Sequence, residues 1–328
     1  MSGSRHHDGA GVAPRATERD RGPGNFANPG VVVRSWYAAA RSRDVRRGEV
    51  QSFNLLGRRV ALYRDAFGRV RALDARCPHL GADLGHGAVA GDGVRCALHH
   101  WELGPDGACR RAPGLEPAPP RRTRAYPVVE RWNLLWLFNG PRADFDLPGP
   151  RAGGRLRVLL LPPRTIRCHP HLVIGNGLDA THFEALHAMA LTSPPRFSAR
   201  PPHGLALELR CRPHSPVLRR LVGGEVAASF EAVGGSLALT TIHEPVRLRV
   251  LFSGRPTADG HCETQTVLFV PRGGAAGFAR LARAAPALGL MLREDNRILD
   301  SISFSPGYTE NDAGLREFAR VVDAMEVW

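Results

Sequence analysis

Two short segments carry the residues best suited to redox chemistry: Cys77-Pro78-His79, and Cys96-Ala97-Leu98-His99 followed by His100 and Trp101. Each supplies one thiolate and one imidazole. Two thiolates on one iron and two imidazoles on the other hold a 2Fe-2S cluster and raise its reduction potential above that of an all-cysteine cluster. The same four side chains could close on one zinc ion, since Cys2His2 is a common structural zinc set. Zinc sites, however, group their cysteines on one element and their histidines on another. One of each per loop suits two linked irons. Gly81, Gly85 and Gly87 are expected to let the first loop turn tightly and to bring amide hydrogens toward the cluster sulfurs. His86 and His100 read as polar loop residues, because the ligand set is complete without them.

A second constellation lies in residues 176–189, where Leu178, His182, Leu186 and Met189 share a helical stripe. His182 and His187 are five residues apart, roughly 140° around a regular helix, so an ideal helix could not turn both toward one ion. A π-bulge, or a helix that ends between them, would. A third ligand is then needed, and a carboxylate would complete the facial triad of non-haem Fe(II) sites. Asp295 sits inside the apolar stripe of Leu288, Met291, Leu292, Ile298, Leu299 and Ile302. A carboxylate there needs a metal or a cationic partner, since burying it alone is costly. An arginine ion pair is the alternative. Glu294 and Asp300 lie off the stripe and read as solvated.

After the N-terminal tail, the chain resembles the Rieske non-haem iron oxygenases along almost all its length. The resemblance rests on the two Cys/His loops, on Asp179-x-x-His182-x-x-x-x-His187, and on Glu294-Asp295. Trp101, where a respiratory Rieske protein has a small hydroxylic residue, is similar to the oxygenase branch. The pattern is similar to that of the compact monooxygenase-type members, such as vanillate O-demethylase, dicamba monooxygenase and 3-ketosteroid 9α-hydroxylase. His100 departs from it, the position being usually glycine. The resemblance implies that Cys77, His79, Cys96 and His99 hold the cluster and that His182, His187 and Asp295 bind catalytic iron. It implies that Asp179 links His182 to His99 of a neighbouring subunit in a homotrimer, and that Asn176 lies near the iron. O2 would be the cosubstrate. Electrons would come from NAD(P)H through a separate ferredoxin or flavin reductase, because the chain has no flavin or nicotinamide fingerprint of its own. The reaction implied is hydroxylation or oxidative demethylation of a largely apolar organic molecule.

The elements that must position these residues divide the 328-residue chain into three parts. Residues 1–28 are rich in Gly, Arg and Pro and read as a disordered tail. Residues 29–150 form an antiparallel β Rieske domain, with strands expected at 31–37, around Gly57, at 70–73, 125–130 and 132–138. The breaker-rich stretch 139–154 marks the boundary. Residues 151–328 form the catalytic domain, with strands near 156–161, 205–210, 236–242, 247–252 and 264–270. Helices are expected near 174–189, at 275–301 interrupted at Pro286, and at 311–325 capped by Asn311 or Asp312. The fold class is α+β, and the resemblance implies a helix-grip (START/Bet v 1-like) architecture for the second domain.

All 44 basic residues are arginine, and the net charge is +13. The arginines are scattered and no nucleic-acid-binding motif accompanies them. The densest group, Arg110, Arg111, Arg121, Arg122 and Arg124, could face an acidic electron donor or simply be solvated. No apolar run has transmembrane length, and the six cysteines lack disulfide-like spacing. A cytoplasmic protein is expected. Two other functions stay in view: a Rieske electron carrier with a non-catalytic ligand-binding domain, and a zinc-stabilised nucleic-acid-binding protein.

Overall fold

The computed structural model describes residues 24–150, 156–222, 224–245, 247–271 and 275–328. Most of the expected tail, residues 1–23, lies outside the described residues, as do 151–155 beside the expected domain boundary. Among the described residues the protein is a mixed α+β structure dominated by antiparallel sheet.

The first part is built from three small sheets. Trp36–Arg41, Leu134–Phe138 and Val128–Arg131 form one, with Leu134–Phe138 in the middle. Val50–Leu55, Arg58–Arg64, Val70–Asp74 and Ala125–Tyr126 form the second. Ala88–Ala90, Gly93–Arg95, Glu102–Leu103 and Cys109–Arg111 form the third, which carries the second ligand loop. The expected strand at 132–138 begins two residues later. Trp132 and Asn133 have positive φ (56° and 62°) and make the two-residue turn that pairs Arg131 with Leu134. The expected strand at 31–37 is likewise displaced: Val33 makes only a bridge to Val327, and continuous pairing starts where Trp36 meets Phe138.

The second part centres on one nine-stranded antiparallel sheet. Its order is Leu156–Leu160, Cys262–Pro271, Leu248–Pro256, Leu237–Glu244, Val226–Val233, Gly204–Pro213 and Met189–Leu191. Arg164–Ile166 pairs with Cys262–Pro271, and Arg196–Arg200 pairs with Gly204–Pro213. Strand alternation sorts its side chains onto two faces. Leu237, Leu251, Val267 and Phe269 turn toward Trp36, Leu134, Trp136 and Phe138 of the first part, forming one shared core. Burying each such side chain contributes about 1.5–3 kcal/mol. Leu205, Leu207 and Leu209 turn the other way, toward Ile174, Phe183, Phe318 and Val322 of the helical layer.

That layer comprises α1 (Pro170–Gly175), α2 (Ala180–Ala185), α3 (Pro216–Val222), α4 (Ala275–Leu299) and α5 (Ala313–Asp323). The single helix expected at 174–189 is three pieces: α1, a 3-10 turn at Asn176–Leu178, and α2. Asp179 separates the last two by going extended and accepting hydrogen bonds from the Thr181 and His182 amides. α4 is continuous through Pro286, where an interruption was expected. Pro286 is exposed, so the carbonyl it deprives of a partner has access to water. Asp312 does not cap α5 with its side chain. Its carboxylate turns back to the Thr309 amide and hydroxyl, both at 2.6 Å. No helix among the described residues is long and apolar enough to cross a membrane.

Candidate metal centres

Both Cys/His loops are closed by main-chain hydrogen bonds that put the cysteines inside and the histidines at the tip. The Cys77 amide donates to the Ala82 carbonyl at 2.8 Å, and the Gly81 amide donates to the Cys77 carbonyl at 2.9 Å. In the second loop the Cys96 amide donates to the Trp101 carbonyl at 2.9 Å, and the His100 amide to the Cys96 carbonyl at 3.1 Å. Cys77 and Cys96 are buried and His79 and His99 are exposed, with the two imidazole centroids 4.6 Å apart. Trp101 stacks flat on His79, 4.4 Å away and 4° from parallel, and so fixes the plane of that ring.

The glycines of the first loop do different jobs. Gly81 alone of the three has positive φ (80°). Gly85 and Gly87 are needed for closeness: a Cβ at Gly85 would lie 2.6 Å from the Ser52 amide nitrogen, and one at Gly87 would lie 2.3 Å from the Arg95 carbonyl oxygen. His100 has φ of 56°, the left-handed conformation that glycine takes without cost, so its position is one of backbone demand. Burial pushes the Cys77 thiol up to about 11. Iron binding there must therefore displace a proton.

These four ligands do not converge on a single point. Among the described residues, only His182, His187 and Asp295 bring three His, Cys, Asp or Glu donor atoms within 4.8 Å of one another. A single zinc would need its donors that close. A buried thiolate pair under an exposed imidazole pair instead matches the two ends of a 2Fe-2S cluster.

His182, His187 and Asp295 meet because α2 stops. Leu186 closes its last turn, His187 follows off the helix, and Ala188 turns the chain with φ of 50° into the strand Met189–Leu191. A helix ending between the histidines thus removes the angular obstacle without a π-bulge. His187 Nε2 lies 3.0 Å and His182 Nε2 3.8 Å from Asp295 Oδ1. An ion with bonds of about 2.1 Å brings right-angled donors to about 3.0 Å. The donor set therefore fits a facial two-histidine, one-carboxylate metal site.

The outer nitrogens settle which ring atoms face that site. His182 Nδ1 is 2.5 Å from the Asp179 main-chain carbonyl, which can only accept, so Nδ1 carries the hydrogen and Nε2 keeps its lone pair. The Asp179 carboxylate does not touch the His182 ring, although the resemblance implies a link through it. Its Oδ1 is occupied by the Thr181 amide at 2.9 Å and hydroxyl at 2.7 Å. Asn176 Nδ2 donates to Asp295 Oδ1 at 3.2 Å, so Asn176 does reach the site.

Glu294, expected to be solvated, is only partly so. Its Oε2 lies 3.1 Å from His187 Nδ1, and the His187 side chain is only 1% exposed. The stripe pattern hid this because Glu294 meets a residue beyond the helix end rather than another helix face. Asp300 likewise accepts from the Arg167 amide at 2.7 Å. Ile298, read as part of the buried stripe, is 41% exposed, while Leu299 is buried. The polar partners of Asp295 are histidines and an asparagine, in place of the arginine ion pair that was the alternative.

Electrostatics differ between the two histidines. Burial holds His182 below the usual imidazole value. Burial acts in the same direction on His187, but hydrogen bonds and charge from Asp295 and Glu294 outweigh it and raise its value. Phe183 stands 4.1 Å from the His182 ring and 5.1 Å from Phe230, and Phe252 and Met291 pack against the same core. The surroundings are therefore apolar. Two clefts of about 360 and 410 Å³ share His243 and Glu244, and neither is lined by His182, His187 or Asp295.

The arginine-rich loop is partly neutralised within the chain. Arg110 pairs with Asp92 at 2.8 Å, Arg111 with Glu102 at 3.1 Å and Arg122 with Asp106 at 3.5 Å. Arg124 lies over the Trp328 ring at 5.2 Å. These contacts support the reading of a solvated loop over that of a docking face.

Comparisons with known proteins bear on the first centre and on the fold. Residues 35–128 match the Rieske [2Fe-2S] domain family. Over 166 residues the chain is 37% identical to the chloroacetanilide N-alkylformylase oxygenase component of Rhizorhabdus wittichii, covering 48% of this chain and 47% of that protein. It is 31% identical over 169 residues to a 3-ketosteroid-9-alpha-monooxygenase oxygenase component of Rhodococcus rhodochrous, covering 48% and 42%. The aligned stretch thus spans about half the length of these curated relatives. The fold is similar to that of dicamba monooxygenase solved with non-heme iron and dicamba, with a TM-score of 0.61, 18% identity, and coverage of 88% and 95%.

Proposed function

We propose that this chain, a member of the Rieske non-haem iron oxygenase family with its Rieske [2Fe-2S] domain at residues 35–128, is the oxygenase component of an electron-fed, O2-dependent enzyme. The observation that carries the proposal is the meeting of His182, His187 and Asp295 in one three-donor site, in a chain that also bears the Cys77/His79 and Cys96/His99 loops. In this reading those four loop residues hold the cluster and the three-donor site holds mononuclear iron. The cluster supplies one-electron transfer and the iron supplies O2 activation when bound.

The residues around the site have separable tasks. The Asp179 carbonyl fixes the His182 tautomer, and Asn176 orients the Asp295 carboxylate. The Asp179 carboxylate, at the start of α2, would face His99 of a second copy in a homotrimer. Phe183, Phe230, Phe252 and Met291 supply an apolar wall that favours a largely apolar organic substrate and excludes water. The division at about residue 150 and a helix-grip arrangement for residues 151–328 belong to the same reading. Electrons would arrive from a separate NAD(P)H-dependent reductase, directly or through a ferredoxin. The free cysteines suit a reducing cytoplasmic setting.

The test is turnover. The purified chain, given a surrogate ferredoxin and reductase with NADH, is supplied with small aromatic, steroid and methoxylated candidate substrates, and products are read by mass. A gain of one oxygen indicates hydroxylation and a loss of methyl indicates demethylation. Electron uptake by the cluster with no O2-dependent product from any class would favour a carrier function instead.

A further inference from the structure

The polar neighbours of His187 are unusual in coming from one dipeptide. Glu294 Oε2 is 3.1 Å from Nδ1 and Asp295 Oδ1 is 3.0 Å from Nε2, so consecutive residues of α4 grip the two ends of one imidazole. Side chains at i and i+1 diverge by about 100° on a helix. The ring can lie between them only because it enters from outside the helix, off the end of α2. His182 is held differently, its Nδ1 facing a neutral carbonyl. The two histidines therefore have unequal outer partners, a carboxylate for one and a carbonyl for the other.

Resting on the metal-site reading above, we propose that Glu294 is a positioning residue for the mononuclear metal. Its carboxylate accepts the Nδ1 hydrogen of His187 and selects the tautomer whose Nε2 lone pair faces the metal. Asp295 would bind the metal itself. Glu294 would touch neither metal nor substrate and would act wholly through His187. Its side chain is 32% exposed, so its cost of desolvation is moderate while the ring it orients is 1% exposed. An outer carboxylate on a metal-bound histidine strengthens the ligand and fixes its plane, and losing such a partner typically weakens metal binding 10- to 100-fold.

The experiment uses the full chain with its cluster in place and its mononuclear site emptied. Co(II) is added under equilibrium dialysis, and EPR is recorded with the cluster oxidised and therefore silent. Glu294→Ala is expected to weaken Co(II) binding about 10- to 100-fold and to alter the Co(II) signal. Glu294→Gln, whose side-chain oxygen can still accept from Nδ1, is expected to fall between Glu294→Ala and the parent. A purely structural role would move neither the signal nor the order of the variants. Glu294→Ala binding within about twofold of the parent would overturn the inference, as would Glu294→Gln being no better than Glu294→Ala. Asp295→Ala separates the two levels. If it abolishes binding while Glu294→Ala stays within about twofold of the parent, only the inference about Glu294 fails. If Asp295→Ala binds Co(II) as the parent does, the metal-site reading itself fails.

Discussion

Asp295 Oδ1 lies 3.0 Å from His187 Nε2 across 108 residues of sequence, and the same oxygen accepts a hydrogen bond from Asn176 at 3.2 Å. A half-buried carboxylate between two imidazoles, with no arginine among its partners in the described residues, is arranged to receive a cation. Asp295→Ala is expected to lose the mononuclear iron while keeping the visible absorption of the cluster. Iron analysis together with the absorption spectrum reads both, and unimpaired substrate oxidation in that variant would remove Asp295 from the site.

Asp179→Asn should separate metal binding from communication between the centres. Asparagine is as good an N-cap as aspartate, so α2 should start normally and the main-chain carbonyl should still hold His182. Both metals are expected to remain bound. Single-turnover oxidation of the reduced cluster by O2 and substrate should slow by more than about tenfold, because a neutral amide would replace the carboxylate proposed to face His99 of the second copy. An unchanged rate would remove the carboxylate from the electron path.

His100 is held at φ of 56°, where a side chain costs about 1 kcal/mol relative to glycine. His100→Gly should keep the cluster and raise the thermal midpoint slightly, read by calorimetry alongside the visible spectrum. Loss of the cluster in that variant would show that the imidazole does more than occupy a turn.

How much of this could be read from the sequence depended on whether a signal was local. Both ligand loops, the strands at 70–73 and 156–161, and Asp295 as an out-of-place carboxylate were legible from types and spacing alone. The strand Val226–Val233 carries little signal in its sequence, because three alanines, a serine and a glutamate leave it without β-branched density. The break of the 174–189 segment depends on Asp179 capping the helix that follows it and on positive φ at Ala188, neither of which leaves a periodic trace. The Glu294 contact is hidden for a related reason: its partner, His187, belongs to a loop that helical periodicity does not describe.

Asp65 gives the first domain a specific acid sensitivity. Its side chain is fully buried and accepts from the Phe67 amide at 2.9 Å, the Arg69 amide at 2.8 Å and the Arg69 guanidinium at 3.0 Å. Burial pushes its carboxyl up, but these hydrogen bonds outweigh burial and lower it below its usual value. A lowered carboxyl contributes stability in full above its unfolded value, about 3.9, and loses that contribution as pH falls through the folded value. Asp65→Asn should therefore cost about 1–3 kcal/mol at pH 7. The gap between variant and parent in urea midpoint should narrow as the pH is taken below about 4. A gap independent of pH would assign the loss to packing.

The most direct test of the account is metal and sulfide content per chain after anaerobic iron loading, with zinc measured on the same sample. Two centres require about three irons and two acid-labile sulfides per chain, with Asp295→Ala falling to about two irons and unchanged sulfide. Two irons in the parent, unchanged by Asp295→Ala, would reduce the protein to an electron carrier. One zinc without iron or sulfide would contradict both centres.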